Sequence, residues 1–481
     1  MKESRGLTMG LLIGRDKEQA DLEEYCRSSK AELICVYGRR RVGKTYLVEN
    51  VFRNSFAFWA TGSEDKRMRT QLNVFHAALR RYGWDGRQAP RDWYEAFERL
   101  RLVLEGDGVE RTGEGRRVVF LDEFPWFATK RSDFLYAFAD FWNGWGQAQD
   151  DLVVILCGSA TSWIVKNLFE NTESMYNRIT RRVYVAPFRL REVELMAESL
   201  RLGWSRDALL QCYLVFGGLP YYIDMLDRRK SLAQNIDALC LDAHAPLGRE
   251  VPQLMEATLG DSKLHRDILR LLSSSKVGIR RMDLAAKLKG GDSGSLKRAL
   301  DDLEKCGYIR KYRNRYEKRQ PAVYQLVDPF LLFGFRFMDD KPAKSWASFE
   351  RTPAYYAWRG NAFEVACVNH VREIKRALGV EAVEAECFPW SSSSADPGVQ
   401  VDLVIERKDQ VTNICEMKFT DAEFSIDAEY AKQLSRKMQV FRSESKTGNA
   451  LQLTMVCAQG LKPNAHSWDV ASVVTADDLF A

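Results

Sequence analysis

Glu32 to Phe52 reads ELICVYGRRRVGKTYLVENVF. An apolar run is followed by a glycine-bounded basic loop and then a second run with helical character. Leu33 to Tyr37 is of strand type, and Tyr46 to Phe52 continues as a helix. Between them Gly38, Arg39, Arg40, Arg41, Val42, Gly43, Lys44 and Thr45 fit G-x-x-x-x-G-K-[ST] without a mismatch. Glycines let successive backbone N–H groups turn inward around phosphate oxygens. The helix N-terminus behind them adds a partial positive charge. Lys44 is the residue to reach the β- and γ-phosphates, and the Thr45 hydroxyl the group to ligate Mg²⁺. Tyr46 follows in the same first turn. The expected ligand is ATP with Mg²⁺. The competing reading, a chance match on a Gly/Arg-rich turn, has to explain the strand and helix on either side.

A partner stretch lies downstream. RRVVFLDEFPWF (Arg116–Phe127) is an apolar strand, Val118 to Leu121, that ends in Asp122 and Glu123. Asp122 is placed to hold Mg²⁺ through water, and Glu123 to orient and polarise the attacking water. The alternative is a strand that merely ends in a solvated acidic pair. A further strand, Leu152 to Leu156, runs into CGSATSW, where Ser159 or Thr161 is the candidate polar sensor beside the γ-phosphate.

LIGRDKE (Leu12–Glu18), LDEFPW, CGSATSW, MYNRITRRVYVAPF and FGGLPYYI occur in this order. The set resembles the AAA-like, STAND-related ATPases often called archaeal-type ATPases. That resemblance implies an arginine near the γ-phosphate, here Arg178. It implies a proline packed on the adenine, here Pro220, and a GRDKE segment along the base. Surface arginines before a strand and a turn between lid helices are the plain alternatives. An arginine supplied by a neighbouring copy implies a homo-oligomer.

The bulk numbers suit a multidomain globular chain. Its 481 residues are 46% hydrophobic and 28% charged. No apolar run reaches the roughly 18 residues needed to span a bilayer, and the N-terminal apolar patch is too short for a signal peptide. Ten cysteines without a repeating spacing read as reduced. The expectation is a cytoplasmic protein with no membrane partner. Net charge is +5 from 71 basic and 66 acidic residues. Lys276 to Gln320 carries 14 Lys/Arg and 6 Asp/Glu, so 14 − 6 gives +8 in that segment alone. A local basic segment points weakly to nucleic acid.

That segment has its own pattern. Helical runs follow Arg191 to about Ala257, as expected of a small lid. Then come HRDILRLLSSS, RRMDLAAKLKG and SGSLKRALDDLEKCGYIRKY, the last with Leu296, Leu300 and Leu303 on one face. Two strands around a basic turn complete the order of a winged helix, whose third helix is the usual reader of the major groove. Lys297 and Arg298 are placed to touch DNA phosphates, whereas Asp301 and Asp302 on the same side oppose them. A winged helix that only packs against the ATPase is the alternative.

The last third holds a carboxylate pattern. In the expected helix from about Asn361 to Leu378, Glu364 falls in the arc of Phe363, Cys367, Val371, Ile374 and Leu378. A glutamate there is costly unless paired or metal-bound. VQVDLVIERKDQVTNICEMKF reads as two strands, Val401 to Ile405 and Val411 to Phe419. A turn centred on Asp409 sets Asp402 opposite Glu416, with Lys418 on the face of Glu416. Opposed carboxylates destabilise a hairpin unless a cation lies between them, and two carboxylates with a lysine suit a divalent metal site. The arrangement of Glu364, Asp402, Glu416 and Lys418 resembles the PD-(D/E)xK nuclease superfamily, although Val401 stands where a proline is preferred. The resemblance implies Glu364, Asp402 and Glu416 as ligands of a second metal, Glu416 and Lys418 as catalytic residues, and DNA as substrate. His370 is a candidate accessory group, or simply structural.

The expected fold class is α/β, in four parts. They are a P-loop NTPase parallel sheet (1–190), a helical lid (191–257), a winged helix (258–327) and a restriction-endonuclease-like domain (328–481). The functional expectation is ATP hydrolysis coupled to processing of DNA. The alternative is an ATP-switched DNA- or protein-binding regulator that cuts nothing.

Overall fold

In the computed structural model, which describes residues 12–481 apart from 54, 260–262, 314–315, 317–320, 339–344, 351 and 393, five apolar runs form one parallel sheet. They are β1 (Glu32–Tyr37), β2 (Phe58–Thr61), β3 (Arg117–Asp122), β4 (Leu152–Gly158) and β5 (Arg181–Tyr184), in the order β2-β3-β4-β1-β5. Every neighbouring pair is parallel. β3 and β4 are buried at every position, as continuous apolar strands covered on both faces should be. Helices Met68–Arg81, Trp93–Glu105 and Phe134–Gly144 pack an aromatic layer on the sheet that includes Phe75, Trp93, Phe97, Phe134 and Phe138. Burying each such ring contributes about 2–3 kcal/mol relative to exposure. Because β1 lies between β4 and β5, and β3 beside β4, the C-terminal ends of β1, β3 and β4 share one edge. Whatever follows those three strands meets there.

The chain divides into two units, Met1–Pro187 and Phe188–Ala481. The second begins with the helices Leu190–Ser199 and Arg206–Phe216. Helix Lys263–Ser273, β6 (Ile279–Arg280), helix Arg281–Lys287, helix Gly294–Lys305, β7 (Ile309–Arg313) and β8 (Ala322–Leu326) follow. The three strands pair antiparallel in the order β6-β8-β7. Leu296, Leu300 and Leu303 are all buried on one face of the third helix, as their spacing predicts. Most of the basic turn between β7 and β8 lies outside the described residues.

The last sheet contains β9 (Ala385–Ser391), β10 (Gln400–Arg407), β11 (Val411–Lys418), β12 (Ala450–Cys457) and β13 (Val470–Val474), ordered β13-β12-β11-β10-β9. β9 to β11 pair antiparallel, whereas β12 and β13 join parallel. The turn between β10 and β11 has the expected register, with Leu403 opposite Cys415 and Val404 opposite Ile414.

One helix differs from its expected form. Instead of a single helix from Asn361 to Leu378 there are two, Pro353–Asn369 and Val371–Ala377. The break is at His370, whose ring is fully buried. Its Nε2 accepts from the Leu190 N–H at 3.0 Å, so Nδ1 is the donor to the Ala366 carbonyl at 2.7 Å. His370 is therefore a structural histidine and not an accessory group of the acidic site. Among the described residues, no helix is long and apolar enough to cross a membrane.

Candidate functional site: a phosphate loop and an acidic cluster

Gly38 leaves β1 with φ +151, and a Cβ there would lie 2.2 Å from the Val185 carbonyl oxygen. Only glycine fits that approach. Gly43 is left-handed (φ 84) and opens the helix Lys44–Phe52, which starts two residues earlier than the sequence suggests. Lys44 is buried, and its Nζ donates to the carbonyls of Gly38 at 3.1 Å and Arg39 at 2.8 Å. Burial pulls its pKa down, while Cys157, Glu123 and Asp122 act to hold the proton on. Arg40 reaches Glu64 at 3.5 Å, and Arg41 has φ 73. Tyr46 is exposed on the first turn.

Thr45 Oγ1 stands 3.2 Å from both carboxylate oxygens of Asp122, at the end of β3. A hydroxyl and a carboxylate in contact are oxygen donors of the kind a hard divalent cation takes. Asp122 is buried, and burial together with the neighbouring Glu123 charge raises its pKa to about 6. Glu123 has φ 45, a left-handed backbone that turns its carboxylate toward β4. There it accepts from Ser159 Oγ at 3.0 and 3.2 Å and from the Ser159 N–H at 3.3 Å. Ser159 is therefore the residue that engages Glu123, while Thr161 is buried beyond it.

Two neighbours escaped the sequence reading. Arg15 is 5% exposed, and its guanidinium donates to the Val42 carbonyl of the loop at 3.1 Å. It lies within GRDKE, a segment expected along the base and not against the loop. Cys157 hydrogen-bonds Asp122. A buried cysteine at a strand end carries no pattern that would have singled it out.

Arg178 lies ahead of β5. The Thr180 N–H donates to the Leu33 carbonyl at 2.9 Å, and β5 begins level with Ile34. Arg178 precedes both, whereas the loop follows Tyr37 at the other end of β1. The rise from Leu33 to Gly38 is about 16 Å. Within its own chain, Arg178 is not beside the phosphate loop. Pro220 belongs to the second unit, where it opens the short helix Pro220–Ile223.

In the second unit Glu364, Asp402 and Glu416 do approach one another. Extending the β10–β11 register by one residue sets Asp402 opposite Glu416, and Asp402 Oδ2 accepts from the Met417 N–H at 2.9 Å. Glu364 is 9% exposed and Glu416 is 1% exposed. Burial first, and then the Asp402 charge, push both carboxyl groups up from the usual carboxylate range. The compensating charges come from lysines. Lys437 Nζ lies 2.6 Å from Glu416 Oε1, Tyr430 donates its hydroxyl to Oε2 at 3.1 Å, and Lys276 Nζ lies 2.9 Å from Glu364 Oε1. Lys418 sits over the Tyr430 ring at 4.6 Å.

The expected metal ligands thus meet protein groups. Among the described residues, no three His, Cys, Asp or Glu side chains stand close enough together to hold a metal ion. The repulsion that a cation was expected to relieve is met by Lys276 and Lys437. As arranged, the cluster does not fit a resident divalent metal.

Comparisons with known proteins bear on the first site. Residues 12–226 match the family model described as an ATPase domain predominantly from Archaea. Over 336 residues the chain is 22% identical to an uncharacterized protein of Methanocaldococcus jannaschii, covering 68% of this chain and 69% of that one. Similar solved structures include a Walker-type ATPase of Pyrococcus abyssi, with 18% identity and a TM-score of 0.48 over 68% of this chain and 96% of that one. Another is the ORC2 protein of Aeropyrum pernix in ADPNP–ADP complexes, with 16% identity and a TM-score of 0.44 over 69% and 95%. Residues 12–226 are thus similar to an ATPase domain found predominantly in Archaea.

Proposed function

We propose that this chain binds ATP with Mg²⁺ and hydrolyses it. The observation that carries the reading is the meeting of Lys44, Thr45, Asp122, Glu123 and Ser159 at one sheet edge. Lys44 trades its two loop carbonyls for phosphate oxygens. Thr45 and Asp122 are the residues to hold Mg²⁺, which when bound neutralises phosphate charge. Glu123 orients the attacking water, and Ser159 fixes the Glu123 carboxylate until substrate arrives. Arg178 reaches a γ-phosphate only from a second copy of the chain, which makes the working form a homo-oligomer. Phosphate release from Mg-ATP tests the reading. Turnover by the wild type and none by Lys44→Ala supports it; ATP bound but never turned over leaves a nucleotide-binding protein only.

For the second unit we infer a winged helix over residues 263–326 followed by a nuclease-like domain, so that ATP turnover governs action on DNA. The helix and strand order supports the first part, with Lys297 and Arg298 exposed on the third helix. Asp402 opposed to Glu416 supports the second. The lysine pairing favours the other reading, a switched regulator that binds DNA or protein and cuts nothing. Plasmid and linear DNA incubated with Mg²⁺ or Mn²⁺, with and without ATP, separate the two. Cleavage lost in Glu416→Ala marks a nuclease. Intact DNA under every condition, with ATP turnover preserved, marks the regulator.

A further inference from the structure

One arginine of the phosphate loop faces across the sheet edge. Gly38, Arg39 and Arg40 leave β1 in that order, and Lys44 Nζ rests on the carbonyls of Gly38 and Arg39. Arg40 therefore starts directly beyond the ammonium that reaches the β- and γ-phosphates in such a loop. Burial lowers the Lys44 pKa first, and the Arg40 charge adds to that fall. The two cations are thus close enough to share one anion. The Arg40 guanidinium turns to Glu64, with Nη2 3.5 Å from Oε1.

Glu64 is presented by a built loop. Gly62 follows β2 and donates its N–H to the Asp122 carbonyl at 2.9 Å, and a Cβ there would lie 2.7 Å from the Glu123 carbonyl oxygen. The loop therefore lies against the backbone of the two acids at the end of β3. Buried Gln71, of helix Met68–Arg81, clamps the backbone on both sides of Glu64. It accepts from the Ser63 N–H at 3.0 Å and donates to the carbonyls of Ser63 at 2.7 Å and Asp65 at 2.5 Å. Asp65 is taken by Arg67 and Thr70, whereas Glu64 goes to Arg40. In the order β2-β3-β4-β1, two strands lie between those that carry the partners. A pair joining the loop after β1 to the loop after β2 crosses over the strand ends that carry Ser159, Asp122 and Glu123.

That pair is easily exchanged. Arg40 is 27% and Glu64 71% exposed, and an ion pair so open to water contributes little. A terminal phosphoryl group offers more charge and a pair of oxygens for the guanidinium fork. We propose that Arg40 is the chain's own ligand for the γ-phosphate, held on Glu64 until ATP arrives and then moved onto the terminal phosphate. Arg40 thereby distinguishes ATP from ADP, and ATP, not ADP, releases Glu64 and the loop after β2. This rests on the reading of the phosphate loop given above and adds an arginine that needs no second copy of the chain.

The test is calorimetric titration of a non-hydrolysable ATP analogue and of ADP, each with Mg²⁺, into the full chain. Arg40→Gln is expected to weaken the ATP analogue about tenfold and ADP by less than about twofold. Arg40→Lys keeps the charge but not the fork and is expected to lie between the wild type and Arg40→Gln. It carries the same comparison if Arg40→Gln does not fold. Glu64→Gln frees Arg40 and is expected to tighten the ATP analogue about threefold, an effect that disappears when it is added to Arg40→Gln. Equal weakening of both nucleotides by Arg40→Gln, or of neither, overturns the γ-phosphate contact and leaves the phosphate loop standing on the wild-type affinities. An unchanged affinity for the ATP analogue in Glu64→Gln overturns the hold by Glu64. No binding of either nucleotide by the wild type overturns this inference together with the ATP reading.

Discussion

Lys44 in the first unit gives its ammonium to two backbone carbonyls, whereas Lys276 and Lys437 in the second give theirs to carboxylates. Both settings place a cation among buried acids. A neutral carbonyl is a partner that a phosphate oxygen readily displaces. The Lys437–Glu416 pair is not, because Glu416 is 1% exposed and breaking the pair strands its charge. The phosphate loop is accordingly poised for ligand, with Asp122 next to Thr45 and Glu123 held aside by Ser159. The acidic cluster is closed by its own lysines. Similar residue types give one site that waits for a ligand and one whose carboxylates are already paired by the protein.

Removing the cation should break the two sites in different ways. In the first unit, Lys44→Ala is expected to weaken Mg-ATP binding on the order of 100-fold while leaving thermal stability nearly unchanged. Fluorescent-nucleotide titration and a melting curve check this together. In the second unit, Lys437→Ala strands Glu416 at 1% exposure and is expected to cost about 3 kcal/mol of stability. Denaturant unfolding measures it, and Glu416→Gln added to Lys437→Ala should recover part of the loss. If Lys437→Ala is neutral, the cluster is not closed as described.

Acid offers a third probe of the second unit. Burial lowers the pKa of His370 from 6.5 to about 4. The unfolded chain therefore binds the extra proton first, and stability falls as pH drops from about 6.5 toward about 4. The expected loss is about 2 kcal/mol between roughly pH 7.5 and 5. His370→Gln should flatten that slope, and an unchanged slope would deny His370 its buried, neutral role. The smallest effect belongs to Ser159→Ala. Losing one hydroxyl contact to Glu123 is expected to change kcat about fivefold, with KM little affected.

How much of this was legible in the sequence follows from how local each signal is. The phosphate loop was fully legible, because G-x-x-x-x-G-K-T sets a backbone path by itself and needs only the strand and helix on either side. Asp122 and Glu123 were legible for the same reason. The β10–β11 register was readable because one polar turn fixes a hairpin. Partners from distant segments were not readable. Nothing near Glu364 in sequence points to Lys276, which is 88 residues away. Nothing near Glu416 required its oxygens to go to Lys437 and Tyr430 and not to a metal. The place of Arg178 was hidden for a topological reason. Its motif is right in chain order, but the parallel pairing of β5 with β1 puts the start of β5 at the far end of the sheet from the loop. The helix break at His370 is also a long-range effect, set by a bond to the Leu190 backbone.

The central claim is that the sheet edge carrying Lys44, Asp122 and Glu123 turns ATP over. The most direct measurement is single-turnover release of labelled phosphate from Mg-ATP by the wild type and by Glu123→Gln, at matched nucleotide occupancy. The account predicts that both bind ATP with similar affinity and that the glutamine variant releases phosphate at least about 100-fold more slowly. Equal release rates at equal occupancy would contradict it.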